Sequence, residues 1–301
     1  MIKLLITLLI VLLCGCTSLF ASTSSIKVLL VDGQNNHSVW PKTSNMVKTF
    51  LEQTGQFEVD IYRTAKTWNG GKLQEQFPAN DGRKHQDFEQ PVTDETFSPN
   101  FADYDVVISN FGWKAAPWPK QTRLAFDKFM KNGGGFVSVH AANNSFPEWF
   151  EYNQMIGLGG WGGRNEKSGP YIYFDEQGLL KRDTSKGQGG GHGKEHAFEI
   201  VLRQPHPITK LLPQNWTHSK DELYNRLRGP AQNLTVLASA FDDKKFNGFG
   251  RHEPVLMTVK YHQGRVFHTT LGHGIEVFED EHFINVMRRG VEWAATGKVK
   301  D

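Results

Sequence analysis

Three polar clusters in this chain combine residue types that do proton chemistry. They are His140 with Asn143, the run Asp221-Glu222-Leu223-Tyr224, and Gly272-His273-Gly274. A histidine and a carboxylate brought together form a general acid/base pair. His140 follows Gly133-Gly134-Gly135-Phe136-Val137-Ser138-Val139, which reads as a helix stop and then a short buried strand. An imidazole raised at a strand end serves as base, acid, hydrogen-bond donor or metal ligand. Each candidate also has a plainer explanation. His140 could be a satisfied core histidine, Asp221 and Glu222 could cap a helix start, and Tyr224 could be a buried hydroxyl bonded to backbone. His273 resists such an account, because its flanking glycines permit close approach of a ligand or another backbone. The assignment is therefore His140 or Glu222 as proton acceptor, Tyr224 as donor, and His273 in the same catalytic set. Asn143, His196, Asp221 and the aromatic Trp113 are expected to contact the ligand.

Several other chemistries are excluded or left as rivals. The only cysteines are Cys14 and Cys16, so the body of the chain has no disulfide, thiolate ligand or thiol nucleophile. No Gly-x-Ser-x-Gly elbow occurs; Ser138 falls inside a strand and Ser145 in a loop. The glycine-dense stretches 157–163 and 187–193 lack the Lys-Ser/Thr ending of a phosphate loop. With 34 Lys and Arg against 32 Asp and Glu, the net charge is +2 and forms no basic block, which argues against nucleic acid. His192, His196, His206, His218, His252, His268 and His273 offer many metal donors, but none has the tight His-Glu-x-x-His spacing. No metal ligand set is assigned, and a divalent metal stands as a rival. Eight Trp and 21 Phe supply core, and also surfaces that suit flat ligands such as sugar rings.

The elements that must position these groups alternate. Strands are expected at 26–31, 57–62, 106–109 and 136–139, with helices after Pro41 and over 120–132. Residues 68–100 read as a surface excursion and 144–194 as irregular. Further strands are expected at 196–201 and 234–240, a hairpin at 254–261 and 264–270, and a helix over 280–296. Strand, helix, strand implies right-handed parallel crossovers, so the strands ending at Val31, Ser109 and Val139 should be parallel neighbours. One α/β domain over 26–301 is expected. Residues 1–20 carry one charge, Lys3, and an apolar run at 4–13, a secretory leader pattern. Leu13-Cys14-Gly15-Cys16 resembles a bacterial lipobox. Cys16 would be lipidated, leaving 22–25 as a tether, with ordinary cleavage near Ala21 as the competitor. The expected location is outside the cytoplasm, on a membrane held only through that lipid.

From about Ile26 to Gly297 the chain resembles the ThuA-like (trehalose-utilisation) family. The resemblance rests on Val139-His140-Ala141, His196, His206-Pro207-Ile208-Thr209, Asp221-Glu222-Leu223-Tyr224, Pro254-Val255-Leu256, Gly264-Arg265-Val266-Phe267 and Leu271-Gly272-His273. It implies a three-layer α/β sandwich with a mostly parallel central sheet, like the class I glutamine amidotransferases and flavodoxin-like folds. In those enzymes the elbow carries a cysteine; here His140 would take that place and His273 that of a later histidine, so glutaminase activity should be absent. The resemblance further implies a carbohydrate partner, either glycosides or their 3-keto oxidation products, with isomerase, lyase or hydrolase chemistry. A non-catalytic sugar-binding lipoprotein and a metal-dependent hydrolase are the alternatives. Neither a cofactor nor an oligomeric state is signalled.

Overall fold

Apolar, β-branched runs build the strands. In a computed structural model describing residues 25–300, β1 (Ile26–Gln34) is followed by α1 (Trp40–Glu52), which has Pro41 in its first turn, and then by β2 (Phe57–Trp68). α2 (Gly71–Gln76), β3 (Gln86–Phe88), β4 (Val106–Ser109), α3 (Lys120–Lys131), β5 (Gly135–Val139) and α4 (Phe150–Ile156) come next. The chain continues through β6 (Tyr171–Phe174), β7 (Leu180–Asp183), β8 (Gly191–His192), β9 (His196–Leu202), β10 (Asn215–Asp221) and β11 (Tyr224–Asn225). β12 (Leu234–Phe241), β13 (His252–Tyr261), β14 (Gly264–Thr269) and α5 (Glu281–Thr296) complete it. The leader, with its Cys16 and Ala21 alternatives, lies outside the described residues.

One large sheet runs in the order β10-β9-β12-β13-β14-β5-β4-β1-β2-β3. From β14 to β3 every pairing is parallel, and β1, β4 and β5 are neighbours as expected. From β14 to β10 every pairing is antiparallel. Four antiparallel steps return β10 to the direction of β14 and β5. Its carboxyl end therefore lies on the same edge of the sheet as theirs.

Alternation along the parallel strands makes three layers. Val28, Leu30, Ile108, Val137 and Val139 pack with Val47, Phe50 and Leu51 of α1 and with Phe283, Val286 and Val291 of α5. Leu29, Val31, Val107 and Phe136 face the other way, onto Phe126 and Met130 of α3 and Tyr152 and Met155 of α4. Each such fully buried side chain contributes roughly 1.5–3 kcal/mol of transfer free energy.

One sequence reading gains detail and another is corrected. The surface excursion 68–100 is tied down: Phe97 is buried, β3 pairs with β2, and the Asp94 carboxylate accepts the Ala65 and Thr96 backbone N–H groups. A fully buried Arg63–Asp32 pair, with contacts of 2.8 and 2.9 Å, braces β2 against β1 beneath it. Asp221 is the last residue of a strand, so neither it nor Glu222 caps a helix.

Candidate functional site

Ligands gather beyond the carboxyl ends of parallel strands, and five strands converge there. β1 delivers His37, β4 delivers Trp113, β5 delivers His140, β14 delivers His273 and β10 delivers Glu222. β11, paired with β8, brings Tyr224 opposite His192. His140 opens a short 3-10 turn, His140–Asn144, with φ +45°, a left-handed conformation costly for a residue with a Cβ. A Cβ on Gly272 would stand 3.3 Å from the Cβ of His140, so the glycine beside His273 serves close approach, as its position in sequence implied.

The tautomer of His140 follows from its partners. Nδ1 lies 2.6 Å from the Thr270 carbonyl, which only accepts, so Nδ1 carries hydrogen. In the neutral ring Nε2 then accepts from the Tyr224 hydroxyl at 2.9 Å, and the two rings stack with centroids 4.3 Å apart. Burial, followed by the charges of Glu222 and Asp221, pushes the Tyr224 hydroxyl well above the ordinary phenol range. A free tyrosinate is therefore disfavoured here.

Glu222 sits among imidazoles. Its Oε2 is 3.7 Å from His140 Nε2, and its Oε1 is 3.4 Å from His192 Nδ1 and 3.7 Å from His273 Nε2. Burial alone would raise this carboxyl, but the neighbouring imidazoles, His140 foremost, hold it down to about 2. His37 is pulled down to about 3 by burial and by the adjacent His140 and His273 rings, and burial lowers His273 as well. An ionised Glu222 beside neutral His37 and His273 rings is the outcome near neutral pH. One ligand atom each from His37, Glu222 and His273 lie within 4.8 Å of one another, the group best placed to hold a metal among the described residues.

Asp221 ties these parts together. Its buried carboxylate accepts the backbone N–H groups of Gly272 and His273 at 3.0 Å each and that of Glu222 at 2.8 Å. His218 Nε2 lies 3.0 Å away. Burial opposes the Asp221 charge, but the His218 contact leads the effects that hold its carboxyl below the usual range.

A cleft of about 180 Å³ lies over this cluster, lined by Asn36, His37, Trp113, Asn144, Trp161, His192, Glu222 and Tyr224. That suits one ring-sized ligand, with Trp113 and Trp161 as aromatic walls. A larger groove of about 890 Å³ beside α5 is lined by Arg203, His206, Lys210 and Arg289 with no carboxylate, so it lacks an acid/base pair.

Of the residues chosen from sequence, His140, Glu222, Tyr224 and His273 come together, and Trp113 reaches the cleft. His140, only 3 % exposed, lies behind Tyr224 and meets the cleft through that hydroxyl's hydrogen bond. Three ligand-contact expectations fail on placement. Asn143 is fully buried and donates to His268 Nε2 at 2.9 Å. His196 stacks on Phe246 at 3.8 Å and hydrogen-bonds the Lys194 carbonyl. Asp221 is spent on backbone N–H groups. Sequence reasoning missed His37 and Trp161 and considered His192 only as a metal donor. His37 was findable, because it follows the first strand as His140 follows β5.

A family model for trehalose utilisation, ThuA, matches residues 27–294. Among solved structures, a ThuA-like protein from Parabacteroides merdae is 40% identical over 92% of this chain and 92% of its own, with a TM-score of 0.80. A ThuA-like protein from Bacteroides uniformis, 18% identical over 95% of this chain and 97% of its own, has a TM-score of 0.56 and shares the fold. Curated proteins give no match.

Proposed function

The chain belongs to the ThuA, or trehalose-utilisation, family, and from that premise we propose that it acts by acid/base chemistry on a glycoside or 3-keto-glycoside held in this cleft. The observation that carries the reading is the chain of contacts from the Thr270 carbonyl through His140 to the Tyr224 hydroxyl, opening on a ring-sized cleft that holds an ionised Glu222.

In a 3-keto-glycoside the ketone acidifies the C2–H bond. Loss of that proton forms a C1=C2 double bond as the C1–O bond breaks, and the departing oxygen takes up a proton. Tyr224 passes its proton to His140 Nε2 as it receives one, and returns it to the leaving oxygen. Free tyrosinate, disfavoured by burial and by Glu222, never forms on this route. Glu222, held near 2, is too weak a base for the C–H and serves instead to stabilise the imidazolium of His140. Trp113 and Trp161 stack on the sugar.

The test is to incubate the purified protein with a panel of glycosides and 3-keto-glycosides and follow release of the alcohol. Turnover of one class, cut by about 10²-fold in Tyr224→Phe with the fold retained, supports the reading. Saturable sugar binding with no turnover on the whole panel would overturn it in favour of a sugar-binding protein, the reading to which the two tryptophan walls also lend themselves.

A further inference from the structure

We propose that His37, Glu222 and His273 hold one divalent cation of the zinc class at the floor of the cleft. The proposal deepens the function above, and rests on it only for what the ion does there.

Geometry comes first. The three ligand atoms lie within 4.8 Å of one another, and His273 Nε2 is 3.7 Å from Glu222 Oε1. A tetrahedral ion with bonds of 2.0–2.1 Å sets its ligand atoms about 3.3 Å apart. Small side-chain rotations about fixed backbones therefore close the set. Binding through Nε2 of His37 exchanges its 3.0 Å contact with the Asn36 amide for a metal bond.

The donor set comes second. Two imidazoles and one carboxylate, with at least one position left open, match the ligands of catalytic zinc. Imidazole donors favour Zn²⁺ and Co²⁺ over Mg²⁺ and Ca²⁺, which seek oxygen.

The surroundings are the third and independent observation. Metal-bound histidines commonly direct their second nitrogen to a carboxylate. His273 does so, with Nδ1 3.5 Å from Glu195 Oε1, and Glu195 is steadied by Lys220 at 2.8 Å. The Asp221 carboxylate holds the backbone N–H groups of both Glu222 and His273, so two of the three ligands hang from one anchor. His37 is fixed by its own N–H on Asn35 Oδ1 at 2.9 Å, and Asn69 clamps the carbonyls of Asn35 and Asn36. Three ligands from three strand ends are thus braced without a metal, as a preformed site requires.

The ligand class follows. Glu222 and His37 line the same cleft as Trp113 and Trp161, so an open coordination position would give onto that cleft. A sugar carbonyl or a pair of adjacent sugar oxygens would occupy it.

The experiment strips the purified full chain with a chelator and dialyses it against Zn²⁺ or Co²⁺. Bound metal is measured by mass spectrometry, Co²⁺ by its visible absorption, and Tm with and without Zn²⁺. One ion per chain, a tetrahedral or five-coordinate Co²⁺ spectrum and a Zn²⁺-dependent rise in Tm are expected. Affinity should fall at least about 10²-fold in His37→Ala, Glu222→Gln and His273→Ala. Tyr224→Phe, which touches the cleft but not the ion, should bind normally and so controls for folding. Absence of stoichiometric Zn²⁺ or Co²⁺ on the unaltered chain, or equal affinity in all three ligand variants, overturns the site. Failure to bind supplied Zn²⁺ or Co²⁺, together with turnover that persists in chelator, overturns the site and spares the function. A bound ion with no turnover on the sugar panel does the reverse.

Discussion

Asp221 and Tyr224 stand three positions apart and do different work. Asp221 is buried away from the cleft, and its carboxylate fixes the backbones of Glu222, Gly272 and His273. Asparagine would keep one acceptor oxygen and turn an N–H₂ toward donors, leaving a buried group unpaired. Asp221→Asn is therefore expected to cost about 2–4 kcal/mol in chemical denaturation. A loss below about 0.5 kcal/mol would show that the clamp is not needed. In the proposed relay Tyr224 and His140 are one proton couple, so their effects on turnover should not add. Tyr224→Phe and His140→Gln are each expected to lower kcat by about 10²-fold, with the double variant no worse than about 10³-fold. Multiplied losses, near 10⁴-fold, would separate the two residues. That His140, Glu222, Tyr224 and His273 would meet was legible because strand ends and flanking glycines mark them. Asn143 and His196 were misassigned because a residue's place in a turn does not say which way its side chain points. Asn143 turns under the sheet to His268, and His196 lies flat on Phe246.

Among the elements, the parallel half of the sheet was readable because its strands are nearly continuous apolar runs, buried on both faces. β10 was not. Its inward positions include His218 and Asp221, so the alternation that reveals a half-buried strand runs polar to polar and is lost. That same polar interior is what places Glu222 at the cleft. Contact between β5 and α5 depends on Gly135, where a Cβ would meet the backbone of Ala294 at 2.6 Å. Gly135→Ala should cost about 1–3 kcal/mol in thermal or chemical unfolding, since backbone cannot give way as a side-chain tip does. β13 carries a second sensitive point in Glu253. Burial pushes this carboxyl up to about 7, although Arg251, at 2.6 Å, and the Arg226 backbone favour its charge; Asp242 opposes it. Its folded value lies above the ordinary 4.5, so the stability it allows is complete below pH 4.5 and is lost as the pH rises toward 7. Glu253→Gln removes that dependence. The variant's gain in Tm over the unaltered chain should be near zero at pH 5 and largest at pH 8, on a scale of about 1–3 kcal/mol. An equal difference at both pH values would place the titration elsewhere.

For the whole molecule, the matched family region begins at residue 27, just after the short polar stretch 22–25. Among the described residues no helix is long and apolar enough to cross a membrane. We propose that Cys16 carries a lipid anchor, on the ground that Leu13-Cys14-Gly15-Cys16 follows an apolar run too short to span a bilayer. Nine residues, 17–25, separate Cys16 from β1, so a lipid on Cys16 would keep the body close to the membrane while leaving it free of the bilayer. Cys16→Ala is expected to move the protein from the membrane fraction to the soluble fraction, with the sugar panel and metal binding unchanged, because the residues described as lining the cleft and the metal site all follow β1. Mass spectrometry of the mature N-terminus separates the alternatives. An acylated N-terminal Cys16 supports the anchor, whereas a chain beginning just after Ala21 with unaltered fractionation assigns the leader to ordinary cleavage.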